Sequence, residues 1–209
     1  MIPLIIASRN PKKVEELQAI LTGLPIQAIF LRDLARAPEV VEDGVTFEEN
    51  AVKKAVEIAR WSQKLVLADD SGLCVDALGG EPGVYSARFA GEAQDDAKNC
   101  EKLLRMMEKV PEAKRGAEFV CVIAIAGPDS KLIGTARGEC RGWIAHDLKG
   151  SFGFGYDPLF VDPQSGKRFA ELLPEVKNKI SHRAKALLKA KEILSEYAAR
   201  RGKSHVDKA

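Results

Sequence analysis

The chain has 209 residues, 45% hydrophobic and 30% charged, with 32 basic against 30 acidic side chains and a net charge of +2. That length suits one domain, or two lobes around one core, and the mix is that of a soluble globular protein. The near balance of charge argues against a coat for nucleic acid, and no apolar run approaches the roughly 18 residues of a membrane span.

The opening MIPLIIASRNPKK has no basic residue ahead of its short apolar run, so residues 2–7 read as a buried strand rather than a secretory signal. Asn10 can cap a helix with Pro11 at its first position, Val14, Leu17, Ile20 and Leu21 as its apolar stripe and Gly23 as its stop. Residues 26–31 read as a second strand. Thr46-Phe47-Glu48-Glu49 fits a capping box, and the helix it starts carries Ala51, Ala55, Ile58 and Ala59 on one face. KLVLA, 64–68, is expected as a short strand running into DDSG.

A helix is expected over 94–109, with Ala97, Cys100, Leu104 and Met107 in register. FVCVIAIA, 119–126, is apolar throughout and reads as a strand buried on both faces. GPDSK, 127–131, turns it into a partner strand, which makes a long hairpin. Ser181 can cap a last helix of about 182–200, with Leu187, Ala190, Leu194 and Tyr197 inward. Residues 202–209 read as a polar tail. The fold class is α/β with a mixed sheet (α+β-like), and a ligand cleft between lobes is expected.

The four cysteines, Cys74, Cys100, Cys121 and Cys140, form no CxxC and read as reduced thiols, so a cytoplasmic location is expected. The three histidines form no HExxH, and zinc is not expected.

Four stretches carry chemistry. In SRNPKK, 8–13, a strand ends and a helix begins. Its free N–H groups suit a phosphate, with Ser8 and Asn10 as polar contacts and Lys13 as a charge; an ordinary capped helix would read the same. In LADDSG, Asp69 and Asp70 lie past an apolar strand, where paired acids hold a hard cation or activate water, or simply form a turn. Mg²⁺ commonly takes one or two carboxylates plus phosphate oxygens, which Glu42 and Asp70 could supply with Lys54 beside them. In GSFGFGYDP, 150–158, Phe154 can stack on a nucleobase, Gly153 and Gly155 let the base approach, and Asp157 can bond base or sugar or cap the turn. In VKNKISHRAKAL, 176–187, Lys177, His182 and Arg183 are donors for a carbonyl or phosphate.

Together these segments resemble the inosine triphosphate pyrophosphatase family. SRNPKK is similar to its (T/S)xNxxK opening, and TFEENAVKKA, LADDSGLCVDALGGEPGVYSARFAG, GFGYDPLF and ISHRAKAL follow in order, from about Ile5 to Leu187. The resemblance implies one pyrophosphatase domain over 1–201, two lobes about a cleft, a homodimer, Mg²⁺ as cofactor and a small nucleoside triphosphate as substrate. Neither nucleic acid nor membrane is expected as a partner.

By the same resemblance Ser8, Arg9, Asn10, Pro11, Lys12 and Lys13 bind the triphosphate. Asp70 is the metal-linked general base and Glu42 a second metal acid. Ser71, Lys54 and Lys177 contact phosphate. Phe154, Gly155, Tyr156 and Asp157 line the base, and His182 and Arg183 read the purine edge. Departures are Arg9, where a small residue is common, the extra charge of Lys12, SFGFG in place of a glycine pair, and Asp43 where a threonine is frequent. Either Glu42 or Asp43 could therefore meet the metal. The implied reaction is hydrolysis of ITP, dITP or XTP to the monophosphate and pyrophosphate. A pyrophosphatase of other nucleotides and a non-enzymatic nucleotide-binding module are the alternatives.

Overall fold

The computed structural model describes residues 1–21, 25–91 and 94–206. The apolar start forms β1 (Ile2–Ile6), and α1 (Pro11–Leu21) follows with proline at its first position. β2 (Ile26–Phe30) stops one residue short of expectation, because Leu31–Asp33 coil into a 3-10 turn. The expected Gly23 stop lies outside the described residues.

Helix α2 (Phe47–Ser62) begins at the anticipated capping box: the Thr46 side chain accepts from Glu49 N, and Glu49 returns to the Thr46 N–H. Its buried face includes Ala51, Ala55, Ile58 and Ala59, as the 3.6-residue period dictates. Burying Ile58 alone contributes about 1.5–3 kcal/mol.

β3 corrects the sequence reading. It runs from Leu65 to Val75, straight through DDSG and well beyond the short strand expected over 64–68, so the turn that was one reading of those residues does not form. Asp, Ser and Gly are poor strand formers, but pairing overrides propensity at a position buried between neighbours. β3 lies between β1 and β4. Asp69 and Asp70 are thus successive residues of a strand, whose side chains point to opposite faces.

Helix α3 (Asp96–Met106) is capped by Asp95, which accepts from Lys98 N at 3.1 Å. Its inward face is Asn99, Cys100 and Leu103, with Met107 just past its end; Cys100 and Met107 are buried as expected, whereas Leu104 is half-buried and Ala97 exposed. Asn99 turns inward because its amide holds Ala90 N and Ala87 O. The expected hairpin is β4 (Gly116–Ala126) and β5 (Leu132–Ile144), adjacent in the sheet and joined by a turn closed by Gly127 N to Lys131 O at 2.9 Å. Residues 119–126 are all buried, whereas β5 alternates buried and exposed from Ala136 to Arg141.

The two-residue β6 (Phe160–Val161) and the short α4 (Pro174–Ile180) carry too little periodic signal to be read from sequence. α5 (His182–Val206) continues past the expected end near 200, so part of the supposed tail is helical.

The six strands order as β2-β1-β3-β4-β5-β6. β1 pairs in parallel with β2 and β3, and β6 pairs antiparallel with β5, so the sheet is mixed as expected. Two compact units divide the chain: residues 1–70, 122–137 and 184–209 form one, and 71–121 with 138–183 the other. The first unit buries Leu4, Ile5 and Ile6 of β1, the inner face of α2, and Leu187, Ala190 and Leu194 of α5. The second has an aromatic centre in which Phe119 meets Phe160 at 4.7 Å and Phe169 at 5.9 Å between ring centroids.

Candidate functional site

The predicted site residues fall into two groups, one in each unit. In the first, β1 delivers Ser8 to the N-terminus of α1. Asn10 Oδ1 accepts from the backbone N–H of Lys12 (3.0 Å) and Lys13 (3.2 Å), and Ser8 Oγ accepts from Asn10 N at 3.3 Å. Lys13 Nζ lies 3.1 Å from Asp69 Oδ2. Arg9 donates to the carbonyl oxygen of Ala37 at 2.9 Å, which ties the start of α1 to the following loop. Pro11 opens the helix, and Lys12 is exposed beside it.

Lys54, from α2, donates to the main-chain oxygen of Asp69 at 3.0 Å and forms an ion pair with Glu42. Burial, the largest single influence, works to lower the Lys54 ammonium. The carboxylates of Glu42, Asp69 and Asp70 together outweigh it and hold the ammonium above its ordinary value. Asp43 instead pairs with Lys53 at 2.6 Å and is mostly exposed. Of the two acids left open by the sequence, Glu42 is the one whose charge acts on Asp70.

Asp70 is buried. Burial pushes its carboxyl above the usual range; Lys13 and Lys54 draw it down, Glu42 pushes it up and a hydrogen bond from Asn50 draws it down, leaving a net rise. Asn50 Nδ2 donates to Asp70 Oδ2 at 3.1 Å. Sequence reasoning singled out neither Asn50 nor the Lys13–Asp69 contact. The available signal for Asn50 was a poor helix former placed on the inward side of an otherwise alanine-rich helix face.

The second group surrounds Phe154. Asp157 Oδ2 accepts from Phe154 N at 2.9 Å and from Lys177 Nζ at 2.5 Å, and both side chains of that ion pair are almost wholly buried. Lys177 Nζ also sits 4.8 Å from the Phe154 ring centroid, and the Arg183 guanidinium 5.6 Å from it. Arg183 donates to Ser71 Oγ at 2.8 Å. His182 stacks on Phe119 at 4.6 Å.

Tyr156 points inward: its hydroxyl donates to Ser86 O at 2.9 Å and burial raises its pKa, so it props the loop from below. Gly155 N donates to Asp96 Oδ2 at 2.8 Å. Gly153 (φ +76°) and Gly155 (φ +59°) occupy the left-handed region. A Cβ at Gly153 would collide with the Asp157 carboxylate, whereas a Cβ at Gly155 would meet open space. The first glycine therefore serves the loop's own packing, and the second leaves room beside the ring.

The Ham1 family profile matches residues 4–193. A dITP/XTP pyrophosphatase of Desulforamulus reducens is 54% identical over 192 residues, covering 92% of this chain and 95% of that protein. The chain belongs to the Ham1 family. Among further Ham1 relatives, the dITP/XTP pyrophosphatase of Bacillus subtilis is 45% identical over 91% of this chain and 96% of its own. The Ham1 protein of Coxiella burnetii superposes with a TM-score of 0.85 at 39% identity, over 94% of this chain and 100% of that one. That of Staphylococcus aureus gives 0.83 at 42% identity, over 93% and 99%.

Proposed function

We propose that this chain hydrolyses non-canonical purine nucleoside triphosphates, ITP, dITP and XTP, to the monophosphate and pyrophosphate. The names of its Ham1 relatives support the substrate class. On the chain itself, the observation that carries the reading is the buried Asp70, its carboxyl held high, with the cations Lys13 and Lys54 and the acid Glu42 acting on it. A carboxylate made more basic by burial is a better acceptor for a water proton near neutral pH. Water attacks the α-phosphorus and its proton passes to Asp70. The bond from that phosphorus to the α–β bridging oxygen breaks, and pyrophosphate leaves with the oxygen. Ser8, Asn10, Lys12, Lys13 and Lys54 hold the triphosphate in line, with Arg9 and Pro11 shaping the helix start.

Glu42 and Asp70 fit Mg²⁺. Both are hard oxygen donors, and the local carboxylate charge already holds one ammonium, that of Lys54, above its ordinary pKa. No group of three or more His, Cys, Asp or Glu side chains suited to a metal occurs among the described residues; Mg²⁺ commonly takes one or two carboxylates and completes its shell with phosphate and water. Bound there, Mg²⁺ would neutralise phosphate oxygens and acidify water.

Phe154 stacks on the base, with Gly155 leaving the approach open and Tyr156 and Asp157 holding the loop. Arg183 and His182 donate to the 6-oxygen of hypoxanthine or xanthine, which adenine lacks. Ser71 orients Arg183. Lys177 was expected at phosphate; its burial against Asp157 and Phe154 favours the base side instead.

We also infer one catalytic domain over 1–201 acting as a homodimer in the cytoplasm. Four cysteines without a disulfide suit a reducing compartment. No helix among the described residues is long and apolar enough to cross a membrane. A second copy would cover exposed apolar side chains such as Leu173 and Val176. Product analysis with ITP, XTP, dITP, GTP and ATP, with and without Mg²⁺, tests the reaction. Monophosphate and pyrophosphate from the first three is the expected result. Diphosphate and orthophosphate would overturn the cleaved bond, and binding without turnover would mark a nucleotide-binding module.

A further inference from the structure

Asn50 is 1% exposed in the first unit, and its side-chain amide is engaged on both sides. Oδ1 accepts from Gly44 N at 2.8 Å; Nδ2 donates to Asp70 Oδ2 at 3.1 Å and to Gly44 O at 3.4 Å. The two Gly44 contacts fix the amide orientation, because only the oxygen can accept and only the nitrogen can donate. One side chain on a regular helix therefore grips both the strand residue Asp70 and the backbone two residues beyond Glu42. Gly44 is tightly seated: a Cβ there would lie 2.7 Å from Asn50 Oδ1 and 2.8 Å from Glu49 Cβ. The helix itself is anchored by its capping box, so the grip has a rigid base.

We propose that Asn50 is a positioning residue that sets the spacing and orientation of the two acids, Asp70 and Glu42, across which the divalent cation binds. This rests on the functional reading above. Asn50 touches neither substrate nor metal in that reading. It acts by holding one Asp70 oxygen in a fixed direction and by clamping the loop that presents Glu42. Groups that orient metal-binding carboxylates typically change metal affinity or activity by about 10–100-fold when removed. A displacement of about 1 Å can itself cost about 10²-fold in rate.

Two neutral substitutions test the grip. Asn50→Ala removes the amide. Asn50→Leu keeps the side-chain bulk but neither accepts from Gly44 N nor donates to Asp70. Gly44→Ala presses on the amide without altering it and serves if either variant fails to fold. Mn²⁺ affinity is read by electron paramagnetic resonance, and kcat and KM for ITP are measured at saturating Mg²⁺. The expected result is Mn²⁺ affinity and kcat both lowered about 10–100-fold in Asn50→Ala, Asn50→Leu and Gly44→Ala, with KM within about threefold of the parent. Unchanged Mn²⁺ affinity with unchanged kcat in folded variants would overturn the proposal. A parent protein that turns over none of the triphosphates would sink the functional reading, while the Mn²⁺ comparison would still decide the role of Asn50.

Discussion

If Asp70 is the general base proposed above, function and stability pull in opposite directions at this residue. Its carboxyl is raised chiefly by burial. A group whose pKa is higher folded than unfolded holds its proton more tightly when folded. That contribution to stability is present at pH below the unfolded value and is lost as pH climbs through the folded one. At pH 8 the ionised Asp70 is therefore a net cost to the fold. Asp70→Asn is expected to melt at a higher temperature than the parent at pH 8 in metal-free buffer, with the gap closing as pH falls to where Asp70 takes up its proton. The same variant should lose turnover by about 10²–10⁴-fold, the usual worth of a general base. A thermal-shift series over pH and one steady-state assay check both; a variant less stable at pH 8 would mean that the Lys13 and Lys54 attractions outweigh the burial.

At the scale of elements, the loop 150–158 and helix α4 are fastened by one buried ion pair, Lys177 to Asp157. Removing one partner of such a pair strands the other charge, at about 3–5 kcal/mol. Lys177→Met is expected to destabilise by that order. Adding Asp157→Asn should recover much of it, since the asparagine oxygen can still accept from Phe154 N. Denaturant melts of the single and double variants measure the recovery, and no recovery would show that packing rather than stranded charge sets the cost.

The ion pair was not legible in the sequence, where Lys177 is one of three lysines around a helix start and Asp157 reads as a base or sugar contact or as a turn cap; the hydrogen bond from Phe154 N fits the last of these. What was legible is local. The Thr46–Glu49 box, the Asn10 cap and the Pro11 start each need only residues within one turn of one another. β3 ran past its expected end because its long-range pairing outweighs the turn preference of Asp-Asp-Ser-Gly, and pairing partners are not written beside it. The motif segments gave the family; they did not show which of Glu42 and Asp43 acts on Asp70, because that depends on where Lys53 and Lys54 point from α2.

For the whole molecule, the residues proposed to meet phosphate and metal, Lys13, Lys54, Glu42 and Asp70, belong to one unit, and those proposed to meet the base, Phe154, His182 and Arg183, to the other. If the two sets bind separate parts of one nucleotide, their contributions are separable by fragment. Inorganic tripolyphosphate, as an inhibitor of ITP hydrolysis, should weaken on Lys13→Ala and stay within about twofold on Phe154→Ala. Inosine should do the reverse. Phe154→Ala should weaken inosine by about 5–150-fold, the equivalent of the roughly 1–3 kcal/mol that base stacking supplies. For intact ITP the two losses should add to within about 0.5 kcal/mol in the double variant if the two sets act independently. The physical basis is that Lys13 acts through charge near Asp69, whereas Phe154 acts through its face and is held by Asp157, Lys177 and Arg183. Inhibition constants for the two fragments on the two variants, and ITP affinity on the double, decide it. Tripolyphosphate weakened equally by Phe154→Ala would mean that the loop 150–158 reaches the phosphates and that the division of labour is wrong.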